Sequence, residues 1–184
     1  MGVEIVRWKV EPTERSRRGL ADRLWMAAPA LRRLFARALR RPPGSPLRRS
    51  AITRIMQAGC AANSRGDYEF TASFLHPDVE LYMRPDDRER LPTDFEPLYQ
   101  GPDGWVRAVR TWKESFAEHR WEPREIFDCG GPRFGGYTEM VGRGLGSGLE
   151  VRQQEFHVWE VEGAALRRQW TLATEEAMLR LLSQ

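Results

Sequence analysis

The stretch Gly142–Val161, GRGLGSGLEVRQQEFHVWEV, constrains the fold of this chain more than any other. Gly142, Gly144, Gly146 and Gly148 stand at alternate positions. They cannot form a helix interior, where each would cost about 1 kcal/mol relative to alanine. They suit a hairpin connection or a bulge that needs positive φ. The run after them alternates as a β-strand and splits by parity. Val151, Gln153, Glu155, His157, Trp159 and Val161 share one face; Arg152, Gln154, Phe156, Val158 and Glu160 share the other. Both faces are mixed, so the strand does not simply separate core from water. A face apolar at one end and polar in its middle is what a cavity wall requires.

The remaining elements follow from similar patterns. Residues 17–41 form a basic amphipathic helix interrupted by Pro29, with Leu20, Leu24, Leu31, Leu34, Phe35 and Leu39 on one side. The run Arg40-Arg41-Pro42-Pro43-Gly44-Ser45-Pro46 marks a boundary. It divides the chain into a helical extension, 1–46, and a main domain, 47–184. Ser50 caps a helix to about Asn63, and Asp67 caps a short second one that His76-Pro77-Asp78 ends. Residues 79–83 alternate as a strand, 84–97 read as a surface loop, and Phe95, Leu98 and Tyr99 suggest a short strand. Gly101-Pro102-Asp103-Gly104 precedes an amphipathic helix to about Glu118, burying Trp105, Val109, Trp112 and Phe116. Strands follow at about 120–128, 133–142, 151–161 and 165–172, and Thr174 caps a last helix, Glu175–Leu182. Helices gathered early and strands gathered late predict an α+β fold: a curved, mostly antiparallel sheet packed by three helices, with a conical hollow between them.

Charge divides along the same boundary. Residues 1–66 carry 15 Lys/Arg against 4 Asp/Glu, and residues 67–184 carry 14 against 22. The extension can serve as a cationic patch for lipid or nucleic acid, or as an arm that lays its apolar stripe on the main domain. No aromatic–basic interleaving or recognition motif points to nucleic acid. No run of 18 apolar residues offers a membrane span. Cys60 and Cys129 lack metal-ligand spacing and are expected to be free thiols in a cytoplasmic protein.

His157 is the leading candidate for chemistry, since an unperturbed imidazole titrates at about 6.5 and can donate or accept a proton near neutrality. Glu155 lies two residues away on the same face and can orient it. Gln153 and Trp159 extend that face as ligand contacts. With parity reversed, Phe156 and Val158 would fill the hollow and His157 would meet solvent or a subunit interface. Asp128 precedes the Gly130-Gly131 turn and is either a buried general base or a turn cap. Arg168 and Trp170 share a face, able to hold an oxyanion and supply an apolar wall if it is inward. Tyr82 and Glu80 are read as lying on opposite faces of strand 79–83, so that only one of them is expected to line the hollow. Tyr137 and Glu139 are weaker candidates. His76, His119 and His157 are scattered without metal-ligand spacing. No phosphate loop, dinucleotide fingerprint or nucleophile elbow is present, so neither a metal nor a cofactor is expected.

From about Ser50 to Leu182 the chain resembles the SnoaL-like branch of the nuclear transport factor 2-like superfamily. The resemblance is carried by Asn63-Ser64-Arg65-Gly66-Asp67, His76-Pro77-Asp78-Val79-Glu80, Tyr99-Gln100-Gly101-Pro102-Asp103-Gly104, Phe127-Asp128-Cys129-Gly130 and the Gly142–Gly148 turn with Leu149-Glu150-Val151. It implies a cone-shaped α+β barrel, pairing as a homodimer through the open sheet face. The family holds cofactor-free isomerases, cyclases and hydratases as well as binding modules, so the fold alone does not decide function. Its ketosteroid isomerases use a Tyr, an Asp base and a protonated Asp. The corresponding positions fall near Gly59, near Met83 and on His157, so that mechanism is not expected. Two readings follow: a pocket protein for a small, apolar, oxygenated molecule with acid/base chemistry at His157, or a non-catalytic dimeric module that binds a ligand or a protein.

Overall fold

The computed structural model describes residues 4–13, 17–87, 94–114 and 116–184. Among these, strands β1 (Val6–Lys9), β2 (Leu75–Met83), β3 (Leu98–Gln100), β4 (Phe116–Asp128), β5 (Arg133–Gly144), β6 (Glu150–Glu162) and β7 (Ala165–Leu172) form one sheet. Its order is β1-β4-β5-β6-β7-β2-β3. Only β2 and β7 pair in parallel; the other neighbours are antiparallel. Helices α3 (Pro46–Arg65), α4 (Tyr68–Ala72) and α5 (Gly101–Glu114) close the inner face. Helices α1 (Leu20–Ala27) and α2 (Pro29–Leu39) stack against α3, and α6 (Glu175–Leu182) lies on the outer face. The fold is therefore the α+β arrangement expected, with a sheet that stays open.

Boundaries differ from the sequence reading where tertiary pairing overrides local pattern. The first helix of the main domain begins at Pro46, not Ser50, because proline suits the first helical turn. Helix α5 ends at Glu114, four residues early, and Phe116 opens β4, where Gly142 lies close against its ring. Strand β2 starts at Leu75 and runs through His76-Pro77-Asp78, the segment read as a stop. Val6–Lys9, to which the sequence reading assigns no element, pairs with β4 from Val6↔Asp128 to Lys9↔Glu125. Within the loop read over 84–97, residues 88–93 lie outside the described residues.

Two local devices shape the sheet. A bulge at Arg124 shifts the β4–β5 register between Pro123 and Glu125. It lets Trp121 and Ile126, of opposite parity, both face inward. Gly135 and Gly136 let the layers on both faces approach closely. A Cβ on Gly135 would stand 2.9 Å from the Met178 sulfur of α6, and one on Gly136 would stand 2.6 Å from the Trp159 ring.

The deepest polar contact joins Arg48 to Asp128, both without exposed surface. Arg48 Nε donates to both Asp128 oxygens at 2.9 Å. Its Nη1 donates to the carbonyls of Gly131 and Leu39. Asp128 also accepts from the backbone N–H of Gly44 and Gly130, each at 3.0 Å. Removing one partner strands a buried charge, which costs about 3–5 kcal/mol. Asp128→Ala should lower unfolding stability by about that amount in a urea titration, while Arg48→Met with Asp128→Leu should recover part of it. A loss below about 1 kcal/mol for the single variant would remove the pair from this role.

His119 generates a second expectation. Burial, aided by the charge of Lys113, holds its imidazole down to about 4, against 6.5 for the free group. The unfolded chain therefore binds a proton between those values that the native chain does not, and stability falls as pH drops through that window. Asp67, Glu80 and Glu125 are lowered by Arg18, Arg168 and Arg7 respectively, so their contribution is full above the ordinary carboxylate range and is lost as pH falls through that range and below it. Melting temperatures measured from pH 7 to 4.5 should decline, and the decline should be shallower in His119→Asn.

Candidate functional site

Between the inner sheet face and α3, α4 and α5 lies a cavity of about 160 Å³. Most of its wall is apolar because the helices present Ile55, Met56, Trp105 and Trp112 toward it, and the turn after α4 presents Phe74. Helix α2 adds Phe35 at one end. The polar groups gather on the sheet, where alternation brings Thr138 of β5, Glu155 and His157 of β6, and Gln169 and Thr171 of β7 to one face. The register aligns them as neighbours: Thr138 faces Glu155, and His157 faces Thr171.

His157 is 6% exposed and held on both ring nitrogens. Nε2 lies 2.9 Å from Thr138 Oγ1, and Nδ1 lies 3.3 Å from Thr171 Oγ1. The ring stacks on Trp159 with centroids 5.1 Å apart. Glu155 is 2% exposed; its Oε2 stands 3.5 Å from His157 Nε2 and accepts from Trp121 Nε1 at 3.1 Å. Its second oxygen, Oε1, is buried with no hydrogen-bond partner among the described residues. Trp105 Nε1 donates to Gln169 Oε1 at 3.3 Å, orienting that amide. The arrangement is a carboxylate with one open oxygen, backed by an imidazole fixed between two hydroxyls, in an apolar chamber. Such a carboxylate can accept a proton or a hydrogen bond from a bound molecule, and the imidazole can share the charge.

The structure brings Glu155, His157 and Trp159 together on the cavity wall. It places the other residues expected at a site elsewhere. Asp128 is not a base in the hollow: its carboxylate is consumed by Arg48 and two backbone N–H groups at the β4–β5 turn. Gln153 lies outside the cavity wall, toward the β5–β6 hairpin. Tyr82, Arg168 and Trp170 occupy the outer face, because β2 and β7 turn Leu81, Met83, Gln169 and Thr171 inward. There Tyr82 stacks on Trp170 at 5.5 Å and donates to Glu80 at 3.1 Å. Read as opposed, Tyr82 and Glu80 share one face, as alternate residues of a strand do. Arg168 pairs with Glu80 and Glu160, each at 2.9 Å. Next to them α6 covers Phe127, Phe156, Val158 and Leu172, so part of the sheet face implied for pairing is already occupied.

Thr138, Thr171, Gln169 and Trp121 complete the site and were not singled out from sequence. Parity on β7 carried the signal for two of them, since Gln169 and Thr171 alternate with Arg168 and Trp170. Trp121 required the bulge at Arg124, which leaves no clear trace in composition. Both cysteines are free. Among the described residues, no three His, Cys, Asp or Glu side chains are close enough to hold a metal ion, and no helix is long and apolar enough to cross a membrane.

No protein-family model and no curated protein sequence matches the chain. Solved structures do. TerC, crystallized with polyporic acid, superposes with a TM-score of 0.56 and 18% identity, over 71% of this chain and 97% of that one. A nuclear transport factor 2-like protein of unknown function from Burkholderia pseudomallei gives 0.56 and 20%, over 71% and 96%. A proposed polyketide cyclase from Xanthomonas campestris pv. campestris gives 0.51 and 17%, over 83% and 99%. The fold is thus the nuclear transport factor 2-like one, of the kind the sequence resembles.

Cys60 tests how closed the chamber is. Its half-buried side chain borders the cavity, and burial with the nearby Glu155 pushes the thiol up to about 12. The thiolate is the reactive form, so at pH 8 Cys60 should react with iodoacetamide roughly a thousandfold more slowly than a free cysteine. Glu155→Gln should speed the reaction. Peptide mass spectrometry over time reads both, and a rate near that of free cysteine would mean the chamber is open to bulk water.

Proposed function

We propose that the chain binds a small, largely apolar molecule carrying a carbonyl or hydroxyl oxygen, and that Glu155 and His157 move a proton on it. The reaction class is an isomerisation, cyclisation or hydration carried by side chains alone. The observation behind this reading is Glu155 Oε1, a buried carboxylate oxygen with no partner among the described residues, beside a positioned imidazole. An unmet buried acceptor costs about 1–3 kcal/mol, which a ligand donor or an acidic C–H would relieve. The volume suits a molecule built on about one aromatic ring, since a cavity of roughly 150 Å³ accommodates benzene. Similarity in fold to TerC, crystallized with polyporic acid, and to a proposed polyketide cyclase supports small-molecule binding.

Residue pattern alone puts His157 in the leading role. The geometry favours Glu155 as the group that meets the ligand, with His157 behind it, because both imidazole nitrogens already have hydroxyl partners. That same engagement favours the second reading, in which the pair recognises a ligand without turnover.

Exchange of carbon-bound protons separates the two. Acetophenone and 2-tetralone carry acidic C–H groups beside a carbonyl and approach the size of the chamber. Their binding can be followed by tryptophan fluorescence and their exchange in D₂O by proton NMR. The protein should accelerate exchange over buffer, and Glu155→Gln should cut the acceleration by about 10²–10⁴ while binding persists. His157→Gln should reduce it less. Binding without exchange in the unaltered protein would leave the binding reading, and undiminished exchange in Glu155→Gln would remove that residue as the base.

A further inference from the structure

The α1–α2–α3 surface carries what the cavity does not use. Leu20, Leu24, Leu34 and Leu47 are 75%, 47%, 54% and 50% exposed. The other large apolar side chains exposed among the described residues, Leu145, Leu149 and Val151, lie apart on the β5–β6 hairpin. Leu24, Leu34 and Leu47 line one groove between the three helices, and Leu20 stands one turn before Leu24 on α1. Arg54 opens into the same groove. Arg23, Arg33 and Arg37 stand exposed on the two helices that border it. None of these four arginines has an ion pair with a described residue, and the sole acid of residues 17–66, Asp22, is buried near Arg65.

We infer that this surface docks on an anionic lipid bilayer. A helix pair with leucines set among arginines matches an interfacial layer, where apolar side chains enter the acyl boundary and guanidinium groups stay among phosphates. Nucleic acid would satisfy the arginines but leave the leucines in water. A second copy of the chain would bring one cationic face against another. The proposal does not depend on chemistry in the cavity. It does have a geometric consequence for it: Phe35, Ile55 and Phe74 line both the groove and the cavity, so a single layer of side chains separates a docked bilayer from the chamber. Trp25 packs on Phe35 and Phe74 with centroids 5.5 and 4.7 Å apart, so α1 holds that layer shut.

Co-sedimentation of the full chain with vesicles tests this directly. Vesicles of phosphatidylcholine with about 30 mol% phosphatidylglycerol should pellet the protein at low salt, and pure phosphatidylcholine vesicles should do so at least tenfold less well. Arg23→Gln, Arg33→Gln and Arg37→Gln together should reduce partitioning by about a hundredfold. Leu20→Ser, Leu24→Ser and Leu34→Ser together should reduce it tenfold or more. All six side chains are exposed, and unchanged melting temperatures confirm that each triple variant folds. Failure to pellet with either vesicle overturns the proposal. So does binding to duplex DNA of equal strength that the leucine variant leaves intact, because the surface would then be a phosphate-binding one. Self-association abolished by the leucine variant, without vesicle binding, would assign the groove to a second copy instead.

Discussion

The buried contact between Arg48 and Asp128 is the joint on which the rest of the structure hangs. Asp128 ends β4, and Arg48 sits in the first turn of α3. Through its other donors Arg48 binds the Leu39 carbonyl at the end of α2 and the Gly131 carbonyl in the β4–β5 turn. One guanidinium therefore fixes four segments at once, and two of them decide the shape of the chamber. Helix α3 supplies Met56, Gly59, Cys60 and Asn63 to its wall, and α2 supplies Phe35 to its end. Desolvating both charges is expensive, and the pair is tolerable only because each group reaches several hydrogen-bonding partners.

A second clasp holds the other end of the N-terminal helices. Arg18 donates to both oxygens of Asp67, at 2.8 and 2.6 Å, and to Glu69, while Arg65 approaches Asp67 and Asp22. These contacts are more exposed than the Arg48 pair and are worth correspondingly less. What they contribute is position. With α2 held at Leu39 and α1 held at its start, Trp25 and Phe35 are pressed inward against each other. The basic extension is thereby part of the chamber's closure as well as its outer surface.

How far the site could be read from sequence follows from the range of the interactions. Alternation in 151–161 is a property of adjacent residues, so the common face of Glu155, His157 and Trp159 was legible. The same is true of the α+β order and of the Thr174 cap, whose hydroxyl accepts from the Ala177 N–H. The fate of Asp128 was not, because its partner is 80 residues away and nothing local to the turn distinguishes a base from an anchor. Arg168 and Trp170 illustrate a different limit. Both faces of β7 combine polar and apolar side chains, and only the parallel pairing with β2 decides which face turns inward. Strand β1 was missed for the same reason, since four residues acquire a strand conformation only by pairing with β4.

The polar floor of the chamber sets function against stability. Glu155, Thr138, His157, Thr171 and Gln169 occupy inward positions that valine or leucine could fill at lower desolvation cost. Their contacts satisfy most of that polarity but leave Glu155 Oε1 open. Packing alone explains the aromatic wall, which buries large apolar area against the sheet. It does not explain a carboxylate placed where its second oxygen meets no donor, when glutamine or leucine would fit the same strand position. The physical logic of the site lies in that open oxygen: among the described residues nothing donates to it, so a water or a bound molecule can complete it.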